Sequence, residues 1–247
     1  LTLPTPTPTT TTTTPPHLDL VDATGRINPV LTTIRDSSGR TPKVSAGWDI
    51  RQMSAHILDC YDASDTASRF QGLAWYPSAR DVAIKVHVAT GLPVLTTAGV
   101  IAALSPRNKW SRNVTDATAM CMAYSVGGTS TATEVRVCTF NPNKRKAIAI
   151  LSAANPTISS VGAILSGRKL RSFFGCIMSA DDVCVDGHAV AIALGTRITL
   201  DKTPSLSAGR YATVQAAYMV AANQRGIRAA TMQAVTWVAW RKTHGIK

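Results

Sequence analysis

An all-α fold follows from three features of this 247-residue sequence. Apolar residues recur at three- and four-residue intervals in one stretch after another from residue 47 onward. Helix boundaries are marked by capping residues such as Asn141 and by stop signals such as Gly195 and Gly226. No stretch shows the two-residue alternation of strands between hairpin turns. Hydrophobic residues make up 45% and charged residues 16%, enough apolar matter for one sizeable core or two small ones.

The chain divides into residues 1–46, a low-complexity tail and polar extension, and residues 47–247, a helical domain. Residues 1–16 read LTLPTPTPTTTTTTPP, a Thr/Pro composition that buries too little surface to offset chain entropy. The stretch from His17 to Ala46 is polar and broken by Gly25, Pro29, Gly39 and Pro42. From Asp49 to Tyr61, Ile50, Met53, Ile57 and Cys60 fall at helical intervals. Pro77 reads as a helix start. TTAGVIAALS (96–105) is apolar and small throughout, the mark of a helix buried on every side.

Further helices are predicted along the rest of the chain. Trp110 to Tyr124 puts Val114, Ala117, Cys121 and Tyr124 on one stripe. Asn141 reads as an N-cap with Pro142 at the first helical position. Short helices follow over 157–165, 168–176 and 185–194. The last two run over 207–224 and 229–242.

Twenty-six Lys and Arg face 14 Asp and Glu, a net charge of +12. That excess favours a polyanionic partner, because each neutralised phosphate releases counterions. DNA is the expected partner. A membrane surface fits less well, since no strongly amphipathic Lys-rich helix stands out, and no apolar run approaches the roughly 20 residues of a membrane span. The expected setting is cytoplasmic, the host cytoplasm if the chain is phage-encoded. The five cysteines are scattered without zinc-site spacing and read as reduced core residues, with no metal expected. The sequence carries no clear oligomerisation signal.

Three segments carry the candidate chemistry. In residues 99–120 a buried helix ends at Ser105-Pro106, and a polar loop leads into the next helix. Arg107, Lys109 and Arg112 suit phosphates, Asn113 is a further candidate DNA contact, and Trp110 suits stacking on an unpaired base; a core anchor is the plainer role for Trp110. In residues 164–175, Ser166 and Gly167 form a tight turn whose N–H groups can hold a phosphate, beside Arg168, Lys169 and Arg171. Taken alone, this is an ordinary corner between helices. In residues 181–195, Val183, Cys184 and Val185 should enter the core just before Asp186. An Asp at a helix start is most often an N-cap, yet beside apolar walls it can serve as a base or electrostatic stabiliser. His188 reads as a packing residue ahead of a catalytic one.

Together these segments resemble the helix-hairpin-helix DNA glycosylases, the endonuclease III-like superfamily. AALSPRNKWSRNVTDA resembles that family's buried helix ending L-L-S-A-Q-x-x-D with its following loop. AILSGRK resembles its L-P-G-V-G-R-K hairpin and lysine, and Val185-Asp186-Gly187-His188 resembles its V-D-T-H. Asp186 follows Lys169 by 17 positions, close to the family's separation of lysine and aspartate. The resemblance covers about residues 95–200 and implies a helix-hairpin-helix glycosylase-like fold, divergent and phage-type.

It also implies roles. Asp186 matches the aspartate that supports attack at the sugar C1′ carbon. Lys169 matches the lysine that forms a Schiff base in bifunctional members. Ser166 and Gly167 occupy the hairpin that grips the DNA backbone. Trp110 or Arg107 fills the gap left by the extruded base. The sequence departs from the family at several points: only Gly167 remains of the hairpin's L-P-G-V-G, Arg107 replaces the loop Gln, and Gly187 replaces a branched residue. The four-cysteine iron–sulfur motif is absent, so no cluster or other cofactor is expected.

Two flanking blocks, AWYPSARDVA (74–83) and TMQAVTWVAWRK (231–242), carry paired aromatics. Trp237 and Trp240 should share a helix face, as should Gln233 and Trp237. Core packing is their default role; a base pocket of His188, Gln233 and Trp237 is the sharper one. The leading expectation is therefore a DNA glycosylase-like enzyme acting on a flipped base. The alternatives are a phage enzyme that transfers an amine onto an activated thymine 5-methyl group, a DNA-binding module without chemistry, and a structural or protein-interaction role.

Overall fold

The computed structural model describes residues 48–199 and 202–246, all within one compact unit, Ile34–Lys247. The tail and polar extension expected over 1–46, and the boundary at 47, lie outside the described residues. Among those residues there are ten α-helices and no strand. They are α1 (Ile50–Asp62), α2 (Thr66–Thr90), α3 (Val94–Leu104), α4 (Trp110–Glu134), α5 (Asn141–Leu151), α6 (Ile158–Leu165), α7 (Arg168–Ile177), α8 (Gly187–Ala193), α9 (Ala208–Gln224) and α10 (Ala229–Thr243).

Local chemistry sets most boundaries. Asp49, Asp65, Thr157, Asp186 and Ser207 each cap a helix by accepting a backbone N–H in its first turn, which satisfies a donor that the helix cannot. Gly91, with φ +73°, ends α2. Two expectations shift. Pro77 does not start a helix; it lies inside α2. The carbonyl of Leu73 that it leaves without a donor sits on a face where Leu73 and Pro77 are exposed, so water serves it. Asn141 is not a cap; Phe140 holds that place in extended backbone, and Asn141 and Pro142 form the first turn, where no intrahelical donor is needed.

Two further details differ from expectation. α4 is broken at Gly127 and Gly128, and Gly128 takes φ +67°, ψ −151°, a conformation reserved for glycine. α8 starts later than residue 185, because the Val185 N–H is drawn to the Tyr211 hydroxyl at 3.2 Å instead.

α3 is the centre of one core. Every residue from Thr96 to Leu104 is buried, as its uniform small, apolar sequence predicts. It is surrounded by α2, α4, α5, α6 and α7. Its polar atoms are answered internally: the Thr97 hydroxyl donates to Ala83 O at 2.8 Å, and Asn113 Nδ2 donates to Ile101 O at 3.1 Å. α1, α8, α9 and α10 form a second core around Ile57, Val190, Tyr218 and Met232. The two are joined where α10 packs along α2. At that crossing Gly72 lies so close to α10 that a Cβ there would come within 2.4 Å of Val235 Cα. The free cysteines divide: Cys121, Cys176 and Cys184 are core residues, Cys60 is half-buried, and Cys138 is exposed, against the expectation that all five are core. No helix among the described residues is long and apolar enough to cross a membrane.

Candidate functional site

A cleft of about 620 Å³ opens where the two cores meet. α2 contributes Trp75 and Tyr76, the 105–109 loop contributes Ser105, Arg107, Asn108 and Lys109, and the start of α4 contributes Trp110, Ser111 and Asn113. α7 adds Lys169 and Phe173, the extended stretch before α8 adds Cys184 and Asp186, and α8 adds His188. Gln233, Ala234, Trp237 and Arg241 of α10 complete it, with Ile246 beyond. Such a volume suits a small organic group.

The cleft is graded in depth. Tyr76, Asn113, Cys184, Gln233 and Ala234 are buried, whereas Arg107, Lys109 and Lys169 are exposed. Buried residues mark the floor and cations mark the rim. Between them three indoles run as one aromatic surface: Trp75 lies 5.6 Å from Trp110 and 5.0 Å from Trp237, centroid to centroid. The far side of this array is closed by Arg241, whose guanidinium sits 4.3 Å from the Trp237 ring centre. That spacing is in the cation–π range.

Lys169 and Asp186 line the same cleft. α7 brings the lysine, and the extended backbone after Cys184 brings the aspartate. Both charges act on the Cys184 thiol between them, though burial dominates and pushes that thiol up to about 12, so it stays protonated and is no nucleophile. Asp186 fills two positions at once. Its Oδ1 caps α8 by accepting from Ala189 N at 2.9 Å, and its Oδ2 accepts from the Trp237 indole N–H at 3.1 Å. The plain N-cap role and the site role therefore coexist, with the carboxylate plane fixed from both ends. No ion pair or hydrogen bond engages the Lys169 ammonium among the described residues.

His188 stands beside this pair, half-buried and edge-on to Trp237 at 6.4 Å. Burial moves its imidazole below the ordinary value near 6.5; Asp186 opposes that shift, while Arg241, Lys169 and His244 add to it. A base whose folded value is depressed binds protons more weakly folded than unfolded, so its contribution is full above pH 6.5 and is lost as pH falls below it. Accordingly the His188 Cε1 proton should titrate by NMR with a midpoint below 6.5, and lower still in Asp186→Asn. A midpoint above 6.5 contradicts this placement.

The loop that carries Arg107 is held from below by Asp116. This buried carboxylate accepts from Arg112 Nε at 2.6 Å, Asn108 Nδ2 at 3.1 Å and Cys138 N at 2.7 Å. Arg107 itself takes φ +53°, unfavourable for a side chain with a Cβ. Strain of this kind gathers where a loop is held for a purpose. Asp116→Ala takes away the buried acceptor shared by Arg112 Nε, Asn108 Nδ2 and Cys138 N, and should lower the melting temperature and loosen the loop. An unchanged melt excludes this role.

Several expected DNA contacts are placed differently. Asn113 lines the cleft from its buried floor, with its Nδ2 donating to Ile101 O. Arg112 pairs with Asp116, stays about half exposed and is not among the residues that line the cleft. Ser166, Gly167, Arg168 and Arg171 lie at the α6–α7 corner outside the cleft. There the left-handed residue is Ser166 (φ +55°) and not Gly167 (φ −81°), and Arg171 Nε is spent on Gly162 O at 2.8 Å. Trp240 parts from Trp237: it packs with the second core and stacks on His244 at 4.0 Å. Trp110 both packs on the first core and lines the cleft.

Trp75, Tyr76, Phe173 and Arg241 are among the cleft residues that the sequence does not single out as site candidates. The two aromatic-rich blocks flagged α2 and α10, but nothing in either block indicates that Trp75 meets Trp237.

The chain matches the model of a family of unknown function, DUF7178, over residues 40–244, and belongs to that family. No curated protein and no solved structure matches it.

Proposed function

We propose that this chain is a DNA-base enzyme of the helix-hairpin-helix glycosylase kind, acting on a nucleotide swung out of the duplex. The observation that carries the proposal is the meeting of Lys169 and Asp186 in one indole-walled cleft with a cationic rim. Arg107, Lys109 and Lys169 suit the phosphates flanking the target, while the aromatic wall receives the base by stacking.

Asp186, its carboxylate fixed by Ala189 N–H and the Trp237 indole, faces the sugar. There its charge stabilises the cation developing at C1′ as the glycosidic bond breaks. In the bifunctional form of this chemistry, the deprotonated Lys169 amine bonds to C1′ as the bond to the base breaks, and the base leaves with a proton. Opening of the C1′–O4′ bond then gives the Schiff base, from which the 3′-phosphate is eliminated. Extrusion costs a few kcal/mol, which stacking and rim contacts offset.

The test is mass spectrometry of duplexes carrying uracil, oxidised or 5-substituted pyrimidines after incubation with the protein. Release of a free base is the expected result. A heavier intact nucleoside assigns amine transfer onto the base in place of glycosidic cleavage. No product, with binding that salt weakens steeply, leaves a DNA-binding module and overturns the enzymatic reading.

A further inference from the structure

Gln233 has a feature that neither packing nor the cleft chemistry above uses. It is buried in α10, 4% exposed, yet it lines the cleft floor. Its carboxamide Oε1 accepts from the Tyr76 hydroxyl at 2.6 Å. Burial holds the Tyr76 phenol well above its ordinary value, so it stays protonated and donates. The oxygen end of the amide is thus turned to Tyr76, and the NH₂ end is turned away from it. No hydrogen bond engages Nε2 among the described residues, and it is not one of the buried atoms sealed without a partner. A donor held in one orientation on a cavity floor calls for an acceptor from whatever enters.

Resting on the reading of the cleft as a nucleotide pocket, we propose that Gln233 determines specificity, its Nε2–H donating to the carbonyl oxygen at pyrimidine C4 or purine C6 of the extruded base. The cleft then takes keto-edged bases: thymine, uracil, their 5-substituted relatives and guanine. Cytosine and adenine present an exocyclic amine at that edge. Two donors would face each other in a place shielded from water, and each would lose its bond. A site built to satisfy one hydrogen-bonding pattern rejects the opposite one for this reason. Tyr76 is a positioning residue, acting through the amide it holds.

The test uses the full chain and duplexes in which a single T, U, G, C or A stands opposite an abasic position, so that little pairing energy opposes extrusion. Quenching of the cleft tryptophans reads binding. T, U and G duplexes should bind about tenfold more tightly than C and A duplexes, a difference within reach of one hydrogen bond and its unsatisfied alternative. Gln233→Glu puts an acceptor where the donor was and should reverse the preference. Gln233→Met removes the donor and should level it, and serves if the acidic variant fails to fold. Equal binding of all five duplexes by the wild type, or an unaltered preference in a folded variant, overturns this proposal while leaving the nucleotide pocket standing. Failure of the wild type to bind any duplex removes both.

Discussion

Asp186→Asn is expected to reduce base release from DNA by about 10²- to 10⁴-fold, the range for losing a positioned acid–base or charge-stabilising group. Duplex affinity should hardly change. The asparagine keeps a side-chain oxygen for Ala189 N–H, and Asn caps helices about as well as Asp, so α8 should start where it does now. What disappears is the negative charge that the proposed chemistry uses and the acceptor that holds the Trp237 indole N–H. Trp237→Phe separates the two, because it frees Oδ2 but keeps the charge and most of the packing; its activity should fall less. Single-turnover product release and duplex affinity, measured side by side, check both. Equal activity in wild type and Asp186→Asn removes this carboxylate from the chemistry.

Gly72→Ala is expected to be the most damaging single methyl in the fold. The added Cβ would lie 2.4 Å from Val235 Cα and 2.7 Å from Val235 N, both backbone atoms of α10 that cannot swing aside. The helices must separate, and overpacking of this kind, typically about 1–3 kcal/mol, falls at the upper end here because the clash is with backbone. For a domain of this size that corresponds to a fall in Tm of roughly 6–12 °C. The effect should reach the cleft, since Trp75 and Trp237 ride on these two helices and lie 5.0 Å apart. Tryptophan emission should therefore shift along with the melt. An alanine variant with native stability would mean that α2 and α10 do not cross this closely.

Much of this architecture was legible in the order of residues because it is local. The cap at Asp186, the stop at Gly195 and the fully apolar run of α3 each follow from a few neighbouring side chains. The pairing of Lys169 with Asp186 was legible from a family-like spacing, and both do line one cleft. What was not legible is what depends on crossings between distant segments. Gly72 looks like an ordinary helix-weakening glycine until α10 is seen against it. Trp75 looks like one more core indole until Trp110 and Trp237 flank it.

Charge misled in the opposite direction. Arg112 and Arg171 read as phosphate ligands, but each commits its Nε–H within the fold, to Asp116 and to Gly162 O. A count of basic residues cannot reveal which cations are already engaged. Asn113 is turned inward by its helix, where its Nδ2 serves a carbonyl of α3 at the cleft floor.

The central claim is spatial, and a cross-link tests it most directly. A duplex carrying 5-iodouracil opposite an abasic position, irradiated in complex with the full chain, should couple to Trp75, Trp110 or Phe173 in the aromatic wall. Coupling confined to the exposed α6–α7 corner or to any other outer face, with those three rings untouched, would contradict the entry of a base into this cleft.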